Sequence, residues 1–466
     1  MLGMAIDICI RGAGVVGMTL ALLLARARIR VGLVRSAPVG LPTQPGHLAQ
    51  AAQNDTRDTR DTRDIRAFAL NAASRATLAS LRAWPEQASP VLHMRVHGDT
   101  ALAGAEAADV AGDRAENVAE SMAESAVASK AGFTGAGRFA NPSRHTSASV
   151  VHFDASAMGA DALAWIVDAS VLEQRLRDAL SFAPEVTWLD APHSAALTVI
   201  CEGRSSASRA AAGLSFTQTP YGQTAIAATL DTDAPHQSTA WQWMQGAGTD
   251  GAEVAGGAED TAGKAAGGVC ALLPRAGNSV ALVWSVDHAH AQHLLALDEA
   301  EFCRQLQAAC GNALGAMRLT SQRAAWPLHM AQASRWVGVG LDVDTISQAT
   351  PQPMPQATWA LAGDAAHAVH PLAGQGLNLG LADVAALAHI LSTKAYFRSY
   401  GDMRLLRSYE RARSGDAAAL RLATDGLQRL FASSDPRVRT LRNWGLRGFD
   451  ALGPLKTRVM RQAMGV

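Results

Sequence analysis

The segment that decides the fold lies near the amino terminus and reads Gly12-Ala13-Gly14-Val15-Val16-Gly17. It follows the apolar segment 5–10 and precedes a second apolar segment, residues 18–25. A further strand-like stretch at 30–34, apolar after Arg30, completes a strand–helix–strand unit of the length typical of dinucleotide binding. In such units the glycines allow a tight turn, close approach of a pyrophosphate and packing of the helix on the strand. The sequence therefore predicts a Rossmann-like unit with Gly12, Gly14 and Gly17 in its cofactor turn.

A second glycine-rich stretch lies near the carboxyl terminus, directly after the apolar residues 359–362. It reads Gly363-Asp364-Ala365-Ala366-His367-Ala368-Val369-His370-Pro371-Leu372-Ala373-Gly374-Gln375-Gly376-Leu377-Asn378. The pattern predicts a buried strand, a carboxylate, a loop, and a helix that begins near Leu377 and Asn378. Asp364 can accept hydrogen bonds from sugar-like hydroxyls, and the helix start directs free N–H groups at a ligand in the loop. A flavin ring, which gains negative charge on reduction, suits that position.

Taken together, these stretches resemble the ubiquinone-biosynthesis hydroxylase family of class A FAD-dependent monooxygenases. Residues 363–380 carry the resemblance most specifically, and segment 64–70 resembles a family segment whose arginine lies near the flavin. The resemblance implies FAD as cofactor and NAD(P)H as reductant, and it identifies no catalytic residue. The cofactor-binding residues that it implies are Gly12, Gly14, Gly17, Arg66, Gly363, Asp364, Gly374, Gln375, Gly376, Leu377 and Asn378.

The same resemblance implies transfer of one oxygen atom from O2 to an electron-rich aromatic ring. The family's substrates are polyprenylated phenols, and their hydrophobicity would require access to a membrane. Two alternatives stay open. The chain could be an FAD hydroxylase of a small soluble aromatic, or a catalytically impaired flavoprotein-like subunit of a biosynthetic complex.

Three features differ from the family pattern. Arg35 ends the second strand where an acid usually holds the adenosine ribose, and arginine cannot accept a hydrogen bond. Glu202-Gly203 stands in place of an Asp-Gly motif, and the segment between 186 and 198 is shorter than usual. We expect weaker FAD binding or a changed adenosine pose, and the loss of part of the supporting sheet.

The fold class that follows is α/β, a Rossmann-like FAD-binding domain with an inserted mixed β-sheet substrate domain and C-terminal helices. The FAD-binding domain is predicted at 1–80, 161–211 and 336–395, the substrate domain at 81–160 and 212–335, and the helical region at 396–466. Stretches near 101–149 and 246–268 are rich in Ala and Gly and poor in large apolar residues. They are predicted to be disordered insertions.

Composition narrows the class of protein further. The 466 residues are 48% hydrophobic and 18% charged, with 41 basic and 41 acidic side chains, so no nucleic-acid partner is indicated. Five cysteines show no metal-ligand spacing, which favours a reducing intracellular setting. His367 and His370 find no third ligand at a suitable spacing, and no metal site is predicted.

No signal peptide or membrane span is predicted, so we expect a cytoplasmic protein. Residues 429–461 carry eight basic and two acidic side chains with apolar residues interleaved. Two interpretations fit this pattern equally: an amphipathic helix lying on an anionic inner-membrane surface, and a packing helix with a solvated basic face. A biosynthetic complex is a further expected partner.

Overall fold

The computed structural model describes residues 6–35, 65–98, 150–211, 213–244, 268–340, 358–368 and 375–432. The strands are β1 (Ile8–Arg11), β2 (Val31–Val34), β3 (Ala67–Leu70), β4 (Ser89–Val91), β5 (His93–His97), β6 (Val150–Asp154), β7 (Ala164–Asp168), β8 (Val186–Leu189), β9 (Leu197–Ile200), β10 (Phe216–Thr232), β11 (Thr239–Met244), β12 (Val269–Pro274), β13 (Ser279–Asp287), β14 (Met317–Leu319), β15 (Ala324–Ala333), β16 (Val337–Val339), β17 (Thr358–Leu361) and β18 (His367–Ala368). The helices are α1 (Val15–Arg26), α2 (Ala72–Ser80), α3 (Ala169–Leu180), α4 (Ala207–Ala211), α5 (His288–Ala296), α6 (Glu299–Ala309), α7 (Gln375–Ser392) and α8 (Met403–Ala432). Gly363–Ala365 forms a single 3-10 turn.

The predicted strand–helix–strand unit is present as β1, α1 and β2. Six strands form the first sheet in the order β16-β17-β9-β1-β2-β8. Five of them are parallel, and β16 joins β17 antiparallel. Strands β1, β2, β9 and β17 are buried along their whole length, as expected for parallel strands covered on both faces. The short segment between 186 and 198 leads directly from β8 to β9, and no further strand lies between them.

A larger mixed sheet has the order β18-β15-β10-β13-β12-β11-β5-β6, with β14 paired to β10. Its longest strand, β10, pairs antiparallel with β13 and β15, whereas β11 and β5 run parallel. Helices α5 and α6 contribute Leu294, Phe302 and Leu306 to an apolar cluster with Trp284 on one face of this sheet. This confirms the expected α/β class with a mixed sheet.

The two predicted insertions connect strands that pair directly with each other. His97 is the register partner of Val150, and Met244 is the partner of Val269. Residues 101–149 and 246–267 lie outside the described residues, as does the part of the basic segment from residue 433 onward. Within the predicted helical region 396–466, residues 396–402 form turns and α8 spans Met403–Ala432.

A small third sheet, in the order β3-β7-β4, lies beside the other two. Its strand β3 ends at Leu70, which belongs to the main core together with α1, α7 and α8.

None of the described helices is long and apolar enough to cross a membrane. Within the described ranges, no group of three metal-binding side chains comes together.

Candidate cofactor site

Three parallel strands end at one edge of the first sheet and carry the candidate site. Gly12 follows β1, Cys201 and Glu202 follow β9, and Gly363 follows β17. The Cys201 N–H donates to the Arg11 carbonyl at 2.7 Å, which holds the first two strand ends together. In open α/β sheets, ligands bind at the carboxyl ends of the strands. The two glycine-rich stretches, separated by about 350 residues in the sequence, therefore meet where that rule places a ligand.

The glycines of the first turn differ in what surrounds them. Gly12 has φ +107°, and a Cβ there would lie 2.5 Å from the Cys201 carbonyl oxygen. A Cβ on Gly17 would lie 1.9 Å from the Gly12 oxygen, so helix and turn are in direct contact. A Cβ on Gly14, in contrast, would meet nothing within 4 Å. Gly12 and Gly17 thus serve the packing of the turn, whereas Gly14 faces open space.

Gly14 is also the N-cap of α1, and no side chain caps that helix. The first-turn N–H groups of a helix have no partner within the helix and carry the positive end of its dipole. No acidic side chain occupies the first turn of α1. Open space in front of an uncapped helix start suits a phosphate group.

The Gly363 turn packs against the start of α1. Gly363 has φ +64°, and a Cβ there would lie 3.2 Å from the Val16 side chain. A Cβ on Gly380 of α7 would lie 2.9 Å from Val16 and 3.2 Å from the Gly363 Cα. Larger residues at either glycine would separate α7, the turn and α1. This close packing places Asp364 beside the candidate phosphate position.

The Asp364 carboxylate is partly exposed and makes no hydrogen bond or ion pair within the described residues. Burial raises the pKa of this carboxyl, and the nearby charges of Arg204, His367 and Arg66 oppose that effect. Arg66 itself is exposed, with its guanidinium 5.9 Å from the Phe68 ring centroid. A carboxylate in such a position can accept hydrogen bonds from ligand hydroxyls.

Helix α7 begins at Gln375, two residues before the predicted start at Leu377. A Cβ on Gly376 would meet nothing within 4 Å, so space lies open at this helix start as well. Leu377 packs partly against the main core. Gly374 and the side chain of Gln375 lie outside the described residues.

The Asn378 side chain is engaged within the protein. Its Oδ1 accepts from the Asn71 N–H at 3.0 Å and from the Ser74 hydroxyl at 2.7 Å, and its Nδ2 donates to the Ala69 carbonyl at 2.8 Å. This amide therefore joins α7 to β3 and α2, and only the Asn378 backbone is left to face a ligand.

Glu202 is likewise committed to internal contacts. Its carboxylate lies 3.6 Å from Arg11 Nε and accepts from the Ser206 hydroxyl at 2.8 Å and from the Ser208 N–H at 2.9 Å. These bonds hold the start of α4. From that helix the buried Arg209 donates to the Ala365 carbonyl at 3.0 Å and stacks 3.4 Å from the Phe216 ring centroid. Glu202 and Arg209 thus tie the end of β9 to the Gly363 turn.

Arg35 follows β2, as the sequence indicates. Its side chain is 64% exposed, and its Nε lies 3.4 Å from an Asp190 carboxylate that is 97% exposed. The guanidinium also lies 5.3 Å from the Trp188 ring centroid. Arg35 therefore turns toward the sheet edge formed by β8, and its side chain offers no acceptor to a ribose.

Sequence reasoning missed Asp383, which has no solvent exposure. It accepts from the Gly363 N–H at 3.0 Å, from His367 Nε2 at 2.6 Å and from Arg413 Nε at 2.9 Å. The sequence does contain a feature that could have indicated Asp383, because it is the one acidic residue in the apolar segment 379–391. A buried acid needs partners, but the sequence does not identify them.

This geometry fits FAD. The open start of α1 can hold the pyrophosphate, Asp364 can accept from sugar-like hydroxyls, and the start of α7 can face an anionic ring. Around these groups, Asn378, Glu202 and Asp383 are already paired within the protein.

Comparison with known proteins agrees with this fit. Residues 345–423 match a family model described as an FAD binding domain. Mouse ubiquinone biosynthesis monooxygenase COQ6 is 33% identical over 281 residues, covering 57% of this chain and 55% of the mouse protein. The 3-demethoxyubiquinol 3-hydroxylase of Escherichia coli is 26% identical over 68% of this chain and 76% of its own length. The chain spans about half the length of the mouse relative.

Among solved structures, p-nitrophenol 4-monooxygenase PnpA from Pseudomonas putida has the same fold, with a TM-score of 0.60 and 16% identity. The likeness covers 99% of this chain and 96% of that one. The family model, the named relatives and the shared fold agree with the residues that carry the resemblance in the sequence. In sequence the chain is similar to ubiquinone-biosynthesis hydroxylases, and residues 345–423 match an FAD binding domain.

Proposed function

We propose that this chain holds FAD where the two glycine turns meet and hydroxylates the ring of a polyprenylated phenol in ubiquinone biosynthesis. The observation that carries the proposal is the close packing of Gly363 and Gly380 on Val16, at the uncapped start of α1. It joins the pyrophosphate position and the Asp364 carboxylate in one site. The names of the mouse and E. coli relatives support the substrate class.

Each part of the site has a distinct role in the proposal. The α1 N–H groups beside Gly14 bind the pyrophosphate, and Asp364 accepts hydrogen bonds from the ribityl chain. The starting turn of α7, with Gly376 and the backbones of Leu377 and Asn378, lies at the ring and favours its anionic form. Arg66 supplies a positive charge near the turn. Bound FAD would supply the redox chemistry, accepting electrons from NAD(P)H and activating O2.

The sequence contains a single dinucleotide fingerprint, so NAD(P)H would bind without a Rossmann unit of its own. The basic segment 429–461 is proposed to bring the enzyme to an anionic membrane surface, where prenylated phenols reside. We retain the predicted domain boundaries, with substrate bound between the larger sheet and the cofactor site.

An alternative function is supported by Arg35 and Glu202. Both stand where the family has cofactor-binding acids, and both are engaged elsewhere, Arg35 with Asp190 and Glu202 with Arg11, Ser206 and Ser208. A chain with weakened FAD binding could serve as a non-catalytic subunit of a biosynthetic complex.

Complementation tests the proposed function. The chain is expressed in bacterial strains that each lack one ubiquinone hydroxylase, and quinone and its precursors are measured, with D364A as the matched inactive control. We expect quinone to return in one strain with the wild-type chain and not with D364A, which also identifies the ring position. Recovery in no strain, although the purified chain carries one FAD, would contradict the substrate. A chain purified without flavin would favour the non-catalytic subunit.

A further inference from the structure

Asp383 connects the candidate cofactor turn to the C-terminal helix. Both of its carboxylate oxygens are used, Oδ2 by the Gly363 N–H and His367 Nε2, and Oδ1 by Arg413 Nε. Asp383 has no solvent exposure, and the Arg413 side chain is only 10% exposed. A buried carboxylate with three donors is held in one position, because any movement would leave a buried polar group unpaired.

The two groups on Oδ2 lie at the two ends of one short segment. Gly363 opens the turn and His367 closes it four residues later, so a single oxygen atom fixes both ends of the segment that presents Asp364. The His367 ring also stacks on Trp336, with centroids 4.8 Å apart. Asp383 therefore determines where the Asp364 carboxylate lies.

Helix α8 bonds to the residues that surround this turn. Tyr409 donates its hydroxyl to the Leu361 carbonyl at 2.8 Å, and Glu410 accepts from the Trp336 N–H at 2.8 Å. Arg413, one turn further on, reaches Asp383. These contacts from α8 fix three parts of the site: the end of β17, Trp336 and Asp383.

We propose that Asp383 is a positioning residue for FAD, held in place by Arg413 of α8. This inference rests on the proposed function, since it concerns affinity for the cofactor. A buried ion pair that served stability alone would affect FAD binding only as far as it affected folding. A positioning residue changes FAD affinity even where folding is preserved.

Paired substitutions separate these two roles. In D383L/R413M the charges are replaced by apolar groups of similar size, an exchange that folded proteins often tolerate. The Gly363 N–H and His367 then lose their acceptor. In D383N/R413Q the charges are also removed, but the amide oxygen can still accept from Gly363. The matched control is D416N, which removes the charge of the exposed Asp416, the other partner of Arg413 at 2.5 Å.

The measurements are the melting temperature of each apoprotein and its dissociation constant for FAD, obtained by fluorescence titration. We expect D383L/R413M to bind FAD about tenfold or more weakly than wild type, the loss typical of one charged hydrogen bond. D383N/R413Q and D416N should stay within about threefold of wild type. If D383L/R413M fails to fold, D383S/R413Q gives the same test, since serine is too short to reach the turn.

An affinity for D383L/R413M, or for its serine substitute, equal to that of wild type would overturn the inference while leaving the proposed function intact. The same holds if D383N/R413Q loses as much affinity as the apolar pair, because retention of the acceptor would then have no effect. If the wild-type apoprotein itself does not bind FAD, both the inference and the proposed function fail.

Discussion

Asp364 is the residue on which the candidate site most depends. Burial raises the pKa of its carboxyl, and no described side chain bonds to it. Because the pKa in the folded state lies above the unfolded value, the folded apoprotein binds the proton more tightly than the unfolded chain does. The contribution of Asp364 to apoprotein stability therefore falls as its carboxyl ionises, when the pH rises from about 4, the unfolded pKa, through the folded pKa. A stability role does not explain such a residue, whereas the proposed role in ligand binding does.

We expect D364N to separate binding from folding. At pH 7 the apoprotein of D364N should melt no lower than wild type, and any advantage should disappear near pH 4. Its affinity for FAD should fall about tenfold or more, because an amide is a weaker acceptor than a carboxylate. Thermal melts of the apoprotein at both pH values, with FAD titration at pH 7, provide the measurement. A lower melting temperature at pH 7 combined with unchanged affinity would show that Asp364 is structural.

At the residue scale the sequence predicted the tight turns at Gly12 and Gly363, because such turns depend on local residues. It did not predict the partners of Asp383 or the position of Arg209. Asp383 bonds to residues 20 and 30 positions away, and Arg209 bonds to a carbonyl 156 positions away. Those pairings depend on how α4, α7 and α8 cross the strand ends, which local patterns do not specify.

At the element scale the strand–helix–strand unit was predicted closely, since its hydrophobic periodicity and glycines act together. The length of β10, 17 residues, was not predicted, because its first half is largely exposed and lacks an apolar pattern. The two-residue strand β18 was also missed. It forms only because the Gly363 turn brings His367 and Ala368 beside Gln332 and Ala331 of β15.

The register of β5 with β6 leads to a prediction about the first insertion. Since His97 and Val150 are direct partners, the intervening chain needs to span only a hairpin connection. Replacing residues 104–146 with a short Gly/Ser linker should leave the melting temperature within about 2 °C of wild type, because hairpins close with short loops. Replacing 248–265, between the partners Met244 and Val269, is the matched second variant. A fall of many degrees in either protein would show that the segment packs on the fold.

At the scale of the whole molecule, the candidate turn is the junction between the two large sheets. Residues 363–368 leave β17 of the first sheet, form the turn and pair with β15 of the second. A ligand that binds the turn therefore contacts the segment that links both sheets. This arrangement agrees with the proposed function, in which the first sheet holds the cofactor and the second covers the substrate.

The central claim is that the uncapped start of α1 and the Gly363 turn bind FAD together, and G14S tests it most directly. The Gly14 backbone, with φ −80° and ψ −177°, accepts any residue, and serine is a favoured N-cap. The apoprotein of G14S should therefore melt at or above the wild-type temperature. The hydroxymethyl group of the introduced serine would occupy the space next to the proposed pyrophosphate position.

The decisive measurement is a fluorescence titration of apoprotein with FAD for wild type, G14S and the control G415S, whose site on α8 is exposed and has nothing within 4 Å of an added Cβ. We predict one FAD per chain for wild type and G415S, and an affinity at least about tenfold lower for G14S. Equal affinity in G14S and wild type, or no FAD binding by wild type, would contradict the account.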